Sequence, residues 1–114
     1  MIPNMARVIR RKSLPFIYVK VIVFEGGFED TVDPIESDIK GVIQIPQDKT
    51  LIALNLDLSI SYRQIHITTE EGIIPAIGDQ VKYKNKNHKV IRFRDFEEYG
   101  YYEFIVEEIL NGSY

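Results

Sequence analysis

The sequence predicts a small, mainly β domain, a barrel or sandwich of about six strands with one short helix and an extended N-terminal arm. β-branched and aromatic residues are concentrated in short runs that suit strands. Gly, Pro and Asn between these runs indicate tight connections. The chain has 114 residues, of which 45% are hydrophobic, which is enough for one core. We therefore predict a basic arm over residues 1–15, one β-rich domain over 16–110 and a tail over 111–114.

The predicted strands are short and are separated by turn signals. They cover residues 16–24, 39–45, 59–69, 81–83, 89–94 and 101–109. The first is apolar on both faces apart from Lys20, so we expect it to be covered on both sides. In the third, the apolar face changes between Tyr62 and Ile65, which predicts a bulge near Arg63 and Gln64.

One short helix is predicted after the second strand. Pro46 ends that strand, and Asp48 is the predicted N-cap of a helix over residues 49–55. Leu51, Ile52 and Leu54 are expected to be partly buried. Because such a short helix is marginal alone, it needs the sheet behind it.

Composition excludes several classes of protein. The chain contains no cysteine, which rules out disulfides, thiolate zinc sites and cysteine nucleophiles, and suits a reducing compartment. No apolar run approaches the roughly 20 residues of a membrane helix. The net charge of −3 argues against a generic nucleic-acid binder.

The sequence offers no catalytic or metal-binding pattern. His66 and His88 lie in separate predicted strands without further ligands at metal-site spacing. We expect His66 to be a strand residue with a satisfied hydrogen bond and His88 to be exposed beside a turn. The serines lack the glycine-flanked turn of a nucleophile elbow. We therefore predict that the protein is not an enzyme and has no cofactor or metal.

Charge is distributed in alternating blocks. Residues 1–20 carry +5, residues 21–60 carry −6, residues 61–94 carry +4 and residues 95–114 carry −6. One interpretation is head-to-tail contact between copies, in which one block faces the opposite block of a neighbour. An equally good interpretation is that strands of one sheet neutralise each other.

The fourth and fifth strands form a basic hairpin with aromatic residues, around a predicted turn at residues 85–87. Its cations are Lys82, Lys84, Lys86, Lys89, Arg92 and Arg94. With Tyr83 and Phe93 between them, this pattern is found in single-strand nucleic-acid platforms. The favoured interpretation is simpler: the cations form the solvent side of a half-buried hairpin whose aromatics belong to the core.

The order of motifs resembles a known family. The motifs are Gly41-Val42-Ile43-Gln44-x-Pro46, Arg63-x-Ile65-x-Ile67-Thr68-Thr69, Pro75-x-x-Gly78-Asp79-x-Val81-x-Tyr83, His88-Lys89-Val90 and Tyr101-Tyr102-Glu103. Over residues 39–109 this order resembles the small neck proteins of tailed bacteriophages, of the head-closure (head–tail joining) or tail-completion type. The most specific element is Gly-Asp-x-apolar-x-aromatic, followed by a turn and a second strand.

The resemblance implies a structural role in the virion. It implies a β-barrel core and a homo-oligomeric ring in the neck, assembled in the bacterial cytoplasm. The implied partners are other copies, the portal or adaptor, tail or tail-terminator proteins, and genomic DNA that passes without sequence-specific contact. The alternative is a small β-barrel that binds nucleic acid through residues 81–94. The candidate contact residues are Arg7, Arg10, Arg11, Ile73, Ile74, Lys82, Lys84 and Lys86.

Overall fold

The computed structural model describes residue 9, residues 12–21 and residues 34–109. These residues form six strands and one α-helix, α1, and each strand or helix has the bounds that follow. In chain order they are β1 (Leu14–Lys20), β2 (Ile35–Gln44), α1 (Asp48–Ala53), β3 (Tyr62–Thr68), β4 (Gln80–Tyr83), β5 (Lys86–Phe96) and β6 (Tyr101–Glu108). Single 3-10 turns follow β3 at Thr69–Glu71 and β5 at Glu97–Tyr99.

The six strands close into an antiparallel barrel in the order β1-β2-β3-β6-β5-β4. Closure depends on pairing of β1 with β4, in which Tyr18 lies opposite Val81. A closed barrel leaves no sheet edge among these strands. The predicted mainly β fold with six strands and one short helix is confirmed, and the structure is a barrel and not a sandwich.

The main core fills the inside of the barrel. It contains Phe16, Tyr18, Ile39, Ile65, Ile67, Val81, Val90, Tyr102, Phe104 and Val106. Tyr18 and Phe104 meet edge to face, with ring centroids 6.0 Å apart. Val19, the neighbour of Tyr18 on the opposite face of β1, is also buried. The first strand is therefore covered on both sides at this point, as its composition predicts.

A second apolar cluster lies on the outer wall, where α1 packs. Leu51 of α1, Tyr62 of β3 and Ile105 of β6 form its buried centre. The predicted bulge near Arg63 is wrong, because β3 pairs with β6 in one continuous register from Tyr62 to Thr68. Tyr62 and Ile65 point to opposite faces of β3. Both are buried, because α1 covers the outer face and the main core lies against the inner face. The register shift that does occur lies in β5, between Val90 and Arg92.

The start of α1 differs from its prediction. The N-cap is Gln47, and it makes no side-chain capping bond, whereas Asp48 is the first residue of the helix. At that position the carboxylate complements the partial positive charge of the helix N-terminus. Leu51 is buried as predicted, but Ile52 faces solvent.

The turn of the basic hairpin lies one residue earlier than predicted. Lys84 and Asn85 form it, with φ values of 51° and 63°, and Tyr83 pairs with Lys86 across it. Two left-handed residues between paired strands have the geometry of a two-residue hairpin loop that matches strand twist. Lys86 therefore begins β5 and does not lie in the turn.

The structure describes part of the predicted arm. Ile9 and Lys12 have helical backbone, and Ile9 is 1% exposed. The side chain of Ser13 donates a hydrogen bond to the carbonyl of Ile9. Ile9 and Lys12 are thus not extended, contrary to the prediction for the arm, and β1 begins at Leu14, inside the predicted arm. Arg7, Arg10 and Arg11, and the tail at 111–114, lie outside the described residues.

Gly41 of β2 lies at a close approach inside the barrel. A Cβ at this position would lie 2.7 Å from the carbonyl oxygen of His66 and 2.8 Å from Cγ2 of Ile67. Both distances are below van der Waals contact, so any larger side chain would force β2 away from β3. Packing thus explains why glycine occupies the first position of the Gly-Val-Ile-Gln motif.

Candidate assembly surface

Asp79 organises one end of the barrel. The Asp79 side chain is buried. A buried carboxylate is costly unless hydrogen bonds or an ion pair compensate its charge. Its Oδ2 accepts a 2.5 Å hydrogen bond from the Tyr18 hydroxyl and lies 3.1 Å from the Lys20 ammonium. Its Oδ1 accepts a 3.0 Å bond from the backbone N–H of Val21. The carboxylate thereby joins the end of β1 to the start of β4.

We call residues 72–79 the docking loop, and this network fixes its backbone. The N–H of Ala76 donates to the Tyr18 hydroxyl at 3.2 Å, and the Lys20 ammonium donates to the carbonyl of Ile74 at 3.0 Å. The N–H of Gly78 donates to the carbonyl of Val90 at 2.9 Å. Together with Asp79, the loop therefore has bonds to β1 and β5 at four of its eight positions.

Two further features hold the docking loop in place. Pro75 is fully buried, which anchors the middle of the loop. Gly78 has φ of +99°, a conformation that L side chains rarely adopt. The Gly-Asp pair of the sequence motif is therefore structural: the glycine permits the bend and the aspartate ties it to β1.

Within this network, Tyr18 remains a hydrogen-bond donor. Burial raises the pKa of the Tyr18 hydroxyl far above its ordinary value, and its hydrogen bond to Asp79 raises that pKa further. The phenol thus remains a proton donor at every physiological pH. Lys20 supplies a positive charge next to Asp79, so the carboxylate has both a neutral and a charged partner.

The fixed docking loop exposes two isoleucines. Ile74 is 63% exposed and Ile77 is 68% exposed. Of the predicted contact residues Ile73 and Ile74, only Ile74 is well exposed, whereas Ile73 is half-buried and packs against the main core. The pair that a partner could reach is Ile74 and Ile77, on either side of the buried Pro75 and the hydrogen-bonded Ala76.

Two of the three predicted contact lysines have carboxylate partners within the same barrel. Lys82 Nζ lies 2.5 Å from Glu36, and Lys86 Nζ lies 3.2 Å from Glu108. Lys84 in the hairpin turn lies with its ammonium 5.4 Å from the centre of the Tyr83 ring. Opposite charge blocks therefore meet inside one subunit, and a contact between subunits through Lys82 or Lys86 would have to exchange these pairs.

The aromatics of the basic hairpin belong to the fold. Tyr83 and Phe93 pack against the main core, and the ring of Phe93 lies 5.8 Å from that of Tyr102. This is the arrangement that the simpler interpretation of the hairpin predicts. Base stacking would require these rings to be free on the outer face.

The two histidines differ in their surroundings. His66 Nε2 lies 3.2 Å from Glu103 Oε2, as expected of a strand residue with a satisfied hydrogen bond. Its hydrogen bond is the main cause that lowers the pKa of Glu103. The prediction for His88 is wrong: it lies opposite Val81 and is buried. Burial lowers the pKa of His88, and its Nδ1 has no hydrogen-bond partner among the described residues.

Within the described ranges, no three His, Asp or Glu side chains lie together as a metal site would require. In the same part of the chain, no helix has the length and hydropathy needed to cross a bilayer. No model of a known protein family and no curated protein matches the sequence.

The role of Asp79 and the exposure of Ile77 are the main features that sequence reasoning missed. The Gly78-Asp79 pair was visible as a motif, but its partners Tyr18 and Lys20 are about sixty positions away in the chain. The signal was the alternation in β1: Tyr18 and Lys20 share one face of a strand that is otherwise apolar. Two polar groups on such a face require a buried partner.

Proposed function

We propose that this protein is a structural subunit of the neck of a tailed bacteriophage. In this proposal, copies assemble into a ring that joins the portal or adaptor to the tail, and genomic DNA passes through its lumen. The proposal assigns no catalytic step to any residue. The resemblance of residues 39–109 supports the phage setting, and the closed barrel agrees with the core that the resemblance implies.

The observation that carries an assembly role is the fixed docking loop. Exposed isoleucines on a mobile loop would lose entropy on binding, which weakens association. Here the backbone on both sides of Ile77 is already held by Tyr18, Asp79 and Val90. A preorganised apolar projection is a common form of contact surface.

Magnitudes favour the docking loop over surface charge as the source of affinity. Complete burial of an isoleucine side chain contributes about 1.5–3 kcal/mol. An exposed ion pair contributes about 0–1 kcal/mol. Ile74 and Ile77 together can therefore outweigh several ion pairs, and a ring multiplies this contribution by presenting many loops to one platform. Charge then selects orientation more than it supplies affinity.

The direct test is complementation of particle assembly with the variant I74D/I77D. Both side chains are exposed, so we expect the variant to fold with an unchanged Tm. Assembly of tailed particles should fall strongly, because two carboxylates cannot be buried at an apolar contact.

The matched control is I45D/L58D, which places two carboxylates at exposed apolar positions on the opposite end of the barrel. Ile45 is 75% exposed and Leu58 is 52% exposed. We expect this control to assemble normally. Normal assembly by I74D/I77D would contradict the role of the docking loop. A salt-sensitive affinity for DNA, combined with absence from particles, would favour the nucleic-acid alternative.

A further inference from the structure

A hollow opens on the outer wall of the barrel between α1 and strands β5 and β6. Its volume is about 470 Å³, within the range of about 300–1,000 Å³ that proteins use for small ligands. It is therefore large enough for an aromatic side chain and its flanking backbone. Apolar groups from α1, β5 and β6 line it, including Ala53, Leu54, Phe93 and Ile105.

The lining of the hollow is strongly basic. Lys49, Arg92 and Arg94 all contribute to it, and all three are exposed. The one carboxylate in the lining is Glu103, which already lies 3.2 Å from His66 Nε2. Arg94 is 4.0 Å from Glu103, so that pair is weak. The hollow therefore presents an excess of positive charge around an apolar surface.

The same chain has a convex element of complementary chemistry, which we call the acidic knob, residues 95–99. Asp95, Glu97 and Glu98 are exposed, and Tyr99 is 46% exposed. The N–H of Glu97 donates to Asp95 Oδ1 at 2.8 Å, so the backbone of the knob is held within itself.

The knob is also fixed to the barrel. The N–H of Gly100 donates to the carbonyl of Glu97, and the N–H of Thr69 donates to the carbonyl of Gly100 at 3.0 Å. Gly100, with φ of +86°, closes the turn. Tyr99 is thus exposed on a fixed turn that also carries three exposed carboxylates. An aromatic anchor with matching charges is a typical contact hot spot.

We infer that the acidic knob of one copy inserts into the basic hollow of a second copy, with Tyr99 against Ala53 and Leu54. Three carboxylates of the knob then face three cations of the hollow. Arginine also stacks well on aromatic faces, so Arg92 can pack against the incoming ring. This inference rests on the proposed ring, and it identifies the contact that would build it.

The contact is heterologous, because the knob and the hollow are different surfaces of the chain. Repetition of such a contact forms a ring when the rotation between neighbours closes. Reciprocal exchange between two copies would instead give a closed dimer. The product of a specific cross-link distinguishes these two arrangements.

The test uses the absence of cysteine from the wild-type sequence. The full chain carrying A53C and E98C, which keeps Tyr99, is purified at increasing concentration, oxidised mildly and separated under non-reducing conditions. We expect a ladder of disulfide-linked oligomers, both from the purified protein and from particles that incorporate it. The matched control L58C/E98C, whose first cysteine lies outside the hollow, should give no ladder.

Charge reversal tests the electrostatic part of the contact. E97K in the A53C/E98C chain should lower the cross-linking yield several-fold. Adding K49E should restore much of it, because the opposite charges are then exchanged. D38K, which reverses an exposed carboxylate on β2, should leave the yield unchanged.

The possible outcomes separate this contact from the proposed function. Particles that contain several copies but yield no ladder would overturn the contact and leave the neck role intact. A ladder from purified protein, with no copies in particles, would support the contact and overturn the neck role. A product that stops at the dimer would overturn ring growth through this contact.

Discussion

The hydroxyl of Tyr18 lies 2.5 Å from Oδ2 of Asp79, and this bond ties the docking loop to the first strand of the barrel. The same hydroxyl accepts a bond from the N–H of Ala76. One side chain of β1 thus holds both the end and the middle of the loop. Because the backbone of the loop is fixed to the barrel, the side chains of Ile74 and Ile77 are held in exposed positions that a partner can contact.

Removing either partner of this bond should loosen the docking loop. We expect Y18F to cost about 1–3 kcal/mol of unfolding free energy, because Asp79 and Ala76 each lose a buried partner. D79A should cost more, about 2–4 kcal/mol, because it leaves both the Tyr18 hydroxyl and the Val21 N–H without their acceptor. Urea unfolding gives the free energies, and hydrogen exchange at Ala76 and Gly78 reports the loop. If Y18F left exchange at Ala76 unchanged, the hydroxyl would not fix the loop.

Ile73 and Ile74 should respond differently to the same substitution. I73D places a carboxylate against the main core and should lower the free energy of unfolding by about 3 kcal/mol or more. I74D replaces an exposed side chain and should change stability by less than about 0.5 kcal/mol. Thermal unfolding of the two single variants makes the comparison. Equal effects of the two substitutions would show that the loop packs differently.

Gly41 should not tolerate even one added methyl group. The Cβ of alanine would meet the carbonyl of His66 and the side chain of Ile67 at less than 3.0 Å. We expect G41A to lower the free energy of unfolding by about 1–3 kcal/mol, the usual cost of overpacking. G72A is a useful comparison, because open space surrounds Gly72 and only its φ of +75° opposes the substitution. A neutral G41A would contradict the close approach of β2 and β3.

Burial of His88 should make the barrel less stable at mildly acidic pH. Its pKa in the folded protein is below the ordinary value of 6.5, so the unfolded chain binds the proton more readily. Stability is therefore complete above the unfolded pKa and decreases as the pH falls below about 6.5. The pKa of Glu103 is lowered from 4.5, so its contribution is lost only at lower pH.

Denaturant unfolding of wild type and H88L at about pH 7.5 and pH 5.5 checks this effect. Wild type should lose stability between the two pH values, and H88L should lose less because leucine does not titrate. H88Q, which is polar but does not titrate, should behave like H88L in its pH dependence. An identical decrease in all three proteins would show that another group is responsible.

Local patterns predicted most of the strands, but contacts distant in sequence decided the details. A run of aromatic and β-branched residues placed β6 at nearly its observed position. Closure of the barrel depends on β1 meeting β4, which no local pattern encodes. The bulge near Arg63 was predicted because the sequence could not show that α1 covers the outer face of Tyr62. Placing the hairpin turn one residue late put His88 beside a turn, when it faces Val81 in the core.

The candidate site was only partly visible in the sequence. Ile74 was identified because it is an apolar residue in a polar connection, and the structure confirms its exposure. Ile73 was grouped with it because one sequence cannot show which of two adjacent apolar residues turns inward. The charge blocks also had two interpretations, and the Lys82–Glu36 pair shows that some of them neutralise within one barrel.

Localisation of the chain within the phage particle tests the central claim most directly. The measurement is cryo-electron microscopy of particles of the phage that encodes the chain. Mass spectrometry of the same sample gives the copy number of the chain. We predict several copies arranged as a ring between portal and tail, with Ile74 and Ile77 of each copy buried against a neighbouring protein. Absence of the chain from the particles, or its presence as a single copy, would contradict the neck role.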